Sequence, residues 1–286
     1  MTLTTPRTIA KTWQGRLTQD GAGVSLKRVF GYYEVREMDP FLLLDFFGSN
    51  NPEDYIAGFP WHPHRGIETI TYMLEGRVRH GDSLGNKGVI GPGDVQWMTA
   101  GSGIIHEEMP ERNGGRMAGF QLWANLPAKD KMMNPRYRDI TNSDIPEVKP
   151  DVKVSVKIIA GTVNGTAGPV QDVVIEPQYL DVKISPNGDF THMIQSGHTA
   201  FAFIFEGSGT FSSEEAKTIS AETLVLFSNG ETIKVTASDE GVRFLLVSGR
   251  PLKEPIAWRG PIVMNTDEEL QLAFTEYRQG TFLKRT

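Results

Sequence analysis

Cysteine is absent from the 286 residues. A thiolate nucleophile, a Cys-ligated zinc and a disulfide scaffold are therefore excluded. Long apolar runs are also missing. None approaches the about 20 residues of a membrane-spanning helix, and the opening MTLTTPRTIAKTWQGRLTQD has no apolar leader segment. Positive charge is in short supply, with 29 Lys+Arg against 35 Asp+Glu and a net charge of -6, which argues against direct binding of nucleic acid or an anionic membrane. The expectation is a soluble, cytoplasmic protein. Helical periodicity is thin, its best instance being Asp267–Arg278, opened by an Asn265/Thr266 cap, acidic in its first turn and closed by Gly280. Histidine is scarce at six residues, yet His62, His64, His80 and His106 share one stretch while His192 and His198 stand far downstream.

A hydrophobic share of 39% and 22% charged residues is the balance of a chain that buries a core. Short β-branched and aromatic segments alternate with turns such as Pro92-Gly93-Asp94, Pro186-Asn187-Gly188-Asp189 and Ser228-Asn229-Gly230, which predicts an all-β barrel or sandwich. Ile70-Thr-Tyr-Met-Leu-Glu-Gly76 matches Phe201-Ala-Phe-Ile-Phe-Glu-Gly207 at an offset of 131 residues, so the chain reads as one barrel used twice. The expected division is a first domain over 1–135, a linker over 136–150 and a second domain over 151–286 that carries the C-terminal helix.

His62, His64, Glu68, Ile70, Tyr72 and Leu74 would share one face of an extended strand, polar at one end and apolar at the other. His106 and Glu108 are also two apart, so a neighbouring strand can turn both inward, while Glu107 faces solvent. Three imidazoles and one carboxylate converging on one point make a site for a first-row transition metal. Glu68 is either a hydrogen-bond acceptor behind the ligands or a donor that displaces Glu108. Carried across the offset, His62 falls on Met193, His64 on Gln195 and Glu68 on Thr199, so the second barrel is expected to hold no metal.

The strings His62-Pro-His64-Arg-Gly-Ile-Glu-Thr-Ile-Thr-Tyr-Met-Leu-Glu-Gly76, His80-Gly-Asp-Ser-Leu-Gly85 and Pro92 through His106-Glu-Glu108-Met-Pro110 resemble the pirin family. So do Asp39-Pro-Phe-Leu-Leu-Leu-Asp45 and Gly260-Pro-Ile-Val-Met-Asn-Thr-Asp-Glu-Glu269. The resemblance implies a bicupin, two stacked β-barrels with a few short helices. It also implies one non-haem Fe(II) per chain, held by His62, His64, His106 and Glu108; a donor set of three histidines and one glutamate also accepts Mn, Co, Ni, Cu or Zn. It further implies quercetin 2,3-dioxygenase activity on a flavonol-like aromatic substrate and O2. On that reading Glu108 takes the substrate proton, His80 is a second candidate for proton transfer, and Glu68 and Gln96 lie behind the ligands. Phe59, Trp61, Tyr72, Trp97 and Met98 are candidate pocket walls. The alternative is a redox-sensing interaction protein or transcriptional co-regulator with a protein partner, and a Lewis-acid isomerase or lyase is a third possibility. A monomer is the default.

Overall fold

The computed structural model describes residues 4–112, 115–212 and 217–284. Strands dominate; the two α-helices are a single turn at Val35–Met38 and Asp267–Gln279. The longer helix is built as its sequence predicts. The Thr266 side chain accepts from the Glu269 N–H, Glu269 returns the bond, and Gly280 ends the helix at φ 73. No helix among the described residues is long and apolar enough to cross a membrane.

Two compact units form, but not at the expected boundaries: residues 16–142 associate with 252–286, and residues 1–15 with 143–251. The strand Ile9–Gln14 pairs with Thr223–Phe227, which places the N-terminus in the second unit. The Val263 N–H donates to the Arg65 carbonyl at 3.1 Å, which ties the C-terminal segment to the first unit. The expected linker is largely strand. Arg136–Ile140 pairs with Val95–Thr99 in the first unit, and Glu147–Asp151 pairs with Val154–Ala160 in the second. Main-chain pairing decided these memberships, and it is invisible to composition.

Among the described residues the first unit holds a seven-stranded and a four-stranded antiparallel sheet, with a two-stranded ribbon of Ala257–Arg259 and Ile262–Met264 beside them. The larger runs 136–140, 95–99, 67–75, 117–125, 41–49, 24–30 and 16–20; the smaller runs 59–64, 104–110, 78–82 and 87–90. Val24 and Met73 from one sheet pack with Val78 and Ile90 from the other, which closes one end of the barrel. Ile67 and Met98 pack with Ile104 and Val263 at another point.

Among the described residues the second unit wraps a nine-stranded sheet around a cluster of 22 buried apolar residues, including Phe211, Phe244, Leu246 and Val156. Its 18-residue strand Thr232–Gly249 pairs with Asp189–Met193 near its start and Gln178–Ile184 near its end. The repeat holds at the level of pairing. Ile70 lies between Trp97 and Leu122, and Phe201 lies between Leu226 and Val247.

Candidate metal centre

The strands Phe59–His64 and Ile104–Pro110 are antiparallel neighbours with His106 opposite His62 and Ile104 opposite His64. This register gathers His62, His64 and His106 so that one nitrogen from each lies within 4.8 Å of the others. Ring centroids are 4.4 to 5.0 Å apart. His62 Nδ1 donates to the Pro60 carbonyl at 2.8 Å, and His64 Nδ1 donates to the Pro261 carbonyl at 3.0 Å. These tautomers are assigned from the partners. They leave both Nε2 lone pairs facing each other at 3.0 Å. Two acceptors at that distance repel unless a proton or a cation sits between them. Adjacent ligands at right angles with bonds of about 2.1 Å are themselves about 3 Å apart, so the spacing fits a metal ion. Neither ring nitrogen of buried His106 has a hydrogen-bond partner, which again fits a ring reserved for metal. Burial drives His64 and His106 well below the ordinary imidazole range, and both present neutral nitrogen donors.

Glu108, the fourth expected ligand, is not in the group gathered around the three nitrogens. A register shift between His106 and Glu108 sets Glu108 opposite Phe59 rather than in step with the histidines. Its Oε1 is 2.8 Å from the Thr71 hydroxyl, and its Oε2 accepts from Gln121 at 3.4 Å. Burial raises the Glu108 pKa and the Thr71 hydrogen bond opposes that rise. The carboxylate lines a small inner chamber of about 50 Å3 with His62, Thr71 and Gln121.

Glu68 is placed on the other side of its strand. At Gly66, φ is +78 and the chain passes from the smaller sheet to the larger. The alternation that begins at His62 does not continue through this turn. Thr71, at an odd position, reaches Glu108, so Glu68, Ile70 and Tyr72 point away from it. The Glu68 carboxylate accepts instead from the Thr99 hydroxyl at 2.6 Å. Trp97 pairs with Ile70 and shares that face, so neither Tyr72 nor Trp97 is a pocket wall. Met98 belongs to the core and Trp61 is half exposed; Phe59 is the one expected wall that lines the cavities. Gln96 pairs with Thr71, faces the same way and leaves its buried Nε2 without a partner.

His80 is opposite Glu108 on the neighbouring strand, yet it lines neither cavity. The Tyr137 hydroxyl contacts its Nδ1, and Asp139 lies 3.5 Å from its Nε2. In the second unit, Met193 is exposed, and buried His192 bonds to Gln178 at 2.8 Å. The positions equivalent to the ligands offer no imidazole pair there.

A cleft of about 560 Å3 opens over His62. Its walls include Tyr32, Phe59, Trp123 and Trp258, with Trp123 edge-on to His64 at 5.0 Å. At its rim Arg28 makes two bonds to Asp45, at 2.9 and 2.8 Å, and one to Asp20 at 2.7 Å. Burial pushes Asp45 up to about 6 despite that partner. Sequence reasoning missed Trp123, Trp258 and the Arg28 group. Trp123 sits in an apolar strand like any core residue, and Trp258 is far from the histidines in sequence.

The chain is similar to known proteins over most of its length. The pirin profile matches residues 23–124, and the profile of the pirin C-terminal cupin domain matches residues 179–283. A pirin-like protein of Caulobacter vibrioides is 45% identical over 277 residues, 96% of this chain and 99% of that one. A Pseudomonas aeruginosa protein named provisionally as a quercetin 2,3-dioxygenase is 45% identical over 282 residues, 97% of this chain and 99% of its own. The crystal structure of quercetin 2,3-dioxygenase from Acinetobacter baumannii superposes with a TM-score of 0.89 at 33% identity, covering 96% of this chain and 98% of that one.

Proposed function

The chain belongs to the pirin family, with its two-domain cupin fold, and from that premise we propose that it is a mononuclear metal-dependent dioxygenase that opens the ring of quercetin-type flavonols. The observation that carries this reading is the pair of Nε2 lone pairs facing across 3.0 Å on the floor of an aromatic cleft. The relatives named for quercetin 2,3-dioxygenase support the substrate class. The proposed ion is one Fe(II) per chain, held by His62, His64, His106 and Glu108. A set of three nitrogens and one oxygen also accepts Mn, Co, Ni, Cu or Zn.

A bound M(II) ion supplies Lewis acidity toward the flavonol hydroxyl and an electron path to O2. The protein residues supply the rest. Neutral imidazoles from His62, His64 and His106 leave a metal–carboxylate set with net charge near +1, which favours an ionised hydroxyl beside it. Glu108 accepts the proton of that hydroxyl and returns it as the ring opens. Thr71 and Gln121 hold the carboxylate while it carries the proton. Trp123, Trp258 and Phe59 provide flat apolar surface for a planar ring and keep water from it. The cleft volume falls within the roughly 300–1,000 Å3 of small-molecule sites.

The test is anaerobic loading with Fe(II), addition of quercetin and admission of O2. Uptake of one O2 for each carbon monoxide released, abolished in His62→Ala, is the expected result. A fully loaded protein that binds quercetin and consumes no O2 overturns the assignment.

A further inference from the structure

The hydrogen bond that orients His64 is accepted by a residue 197 positions away in the chain. Pro261 belongs to the 252–286 segment, whose membership of the first unit the order of residues does not suggest. The attachment of that segment is built in detail around the ligand strand. Arg65, next to His64, is buried and donates from its Nε to the Ser102 carbonyl at 2.7 Å. Its two terminal nitrogens reach the segment itself, Glu276 at 2.7 Å and the Phe282 carbonyl at 2.8 Å. Its guanidinium also lies over the Phe282 ring, 4.2 Å from the centroid. Gly66 completes the fit: a Cβ there would lie 2.0 Å from the Val263 carbonyl oxygen, and φ is +78. Only glycine admits so close a passage. Lys131 Nζ then bonds both the Gly66 carbonyl at 2.9 Å and the Val263 carbonyl at 3.1 Å.

We infer that the 252–284 segment is a positioning element of the metal centre, its Pro261 carbonyl fixing the tautomer and ring orientation of His64 through the Arg65–Glu276 and Gly66–Val263 attachments. A histidine ligand needs its second nitrogen held so that the first presents a lone pair along a defined direction. For His62 that partner is the Pro60 carbonyl, two residues away, whereas His64 borrows its partner from the far end of the chain. The same segment carries Trp258 into the cleft wall. The residues from 16 to 142 thus hold the three imidazoles but not the group that aims His64. The inference rests on the metal reading of the three histidines and is independent of the flavonol chemistry.

The test uses the full chain with 15N-labelled imidazoles, in Glu276→Gln and Gly66→Ala variants beside the parent. In the metal-free parent at pH 8, His64 is expected as the Nδ1–H tautomer, with a slowly exchanging proton. In each variant that signal should broaden or move toward a tautomer mixture while His62 keeps its own. Co(II) affinity, measured by competition with a chelator, should fall by about tenfold or more. Glu276→Asp should recover part of the loss. If Gly66→Ala does not fold, Glu276→Gln alone decides the matter. A parent His64 protonated on Nε2 overturns the inference. So does a Glu276→Gln protein that is less heat-stable but unchanged in Co(II) affinity and His64 tautomer. A parent that binds no Co(II) would defeat the metal reading, and the tautomer measurement would still judge the role of Pro261.

Discussion

Lys131 is a fully buried ammonium, and among the described residues no carboxylate pairs with it. Its Nζ donates to Asn125 Oδ1 at 2.7 Å and to the carbonyls of Gly66 and Val263. Burial lowers its pKa from 10.5 to about 7, against the weaker opposing pull of Glu254 and Glu269. The folded state therefore gives up the proton about 3.5 units before the unfolded chain does, a difference of about 5 kcal/mol across the full window. Between pH 7 and 10.5 the unfolded state binds more protons, so stability rises with pH. From pH 7 to pH 9 the gain from this residue is about 2 kcal/mol. Lys131→Met removes the titration and leaves three acceptors without their donor. Its offset at one pH mixes both effects, but the slope of the difference isolates the first. Urea unfolding of both proteins at half-unit intervals from pH 6.5 to 9.5, with the first unit followed by its tryptophans, should show the parent gaining on the variant by about 3 kcal/mol over that range, about 2 of it between pH 7 and 9. A flat difference, or one that falls with pH, would refute the assignment of Lys131 as a desolvated ammonium at neutral pH.

Phe211, fully buried and edge-on to Phe244 at 5.1 Å, should cost the second unit about 3–5 kcal/mol when replaced by Ala, while metal binding in the first unit persists. Calorimetry with a chelator titration checks both halves. Thr71→Val deletes the hydrogen bond that opposes the burial of Glu108. The carboxylate pKa then rises further, and the acidic limb of metal binding should move to higher pH. An unmoved limb would show that Glu108 does not govern it. Thr266→Ala removes the helix cap and should destabilise the C-terminal helix by about 1 kcal/mol, seen as faster amide exchange over 267–270.

The parts of the fold legible in the sequence are those fixed by short-range pattern. The 131-residue repeat appears as two central strands with equivalent neighbours, and the helix cap is in place. His62, His64 and His106 could be grouped because two-residue spacing on two paired strands aims side chains at one point. The same alternation misplaced Glu68 and Tyr72, since it was carried through Gly66, where the backbone turns left-handed and changes sheet. A one-residue irregularity likewise separates Glu108 from the cluster. The exchange of chain ends between units depends on pairings more than 190 residues apart, such as His64 with Pro261. Local composition carries no trace of such contacts, and Trp258 and Pro261 escaped notice for the same reason.

The function proposed here requires one metal ion held chiefly by imidazoles in the first unit. X-ray absorption on protein loaded with Fe(II), with elemental analysis of the same sample, tests it most directly. One ion per chain is expected, with three imidazoles and one carboxylate among its ligands, and it should be lost in His106→Ala. Two ions per chain, or an ion with fewer than two imidazoles that survives His106→Ala, would contradict it.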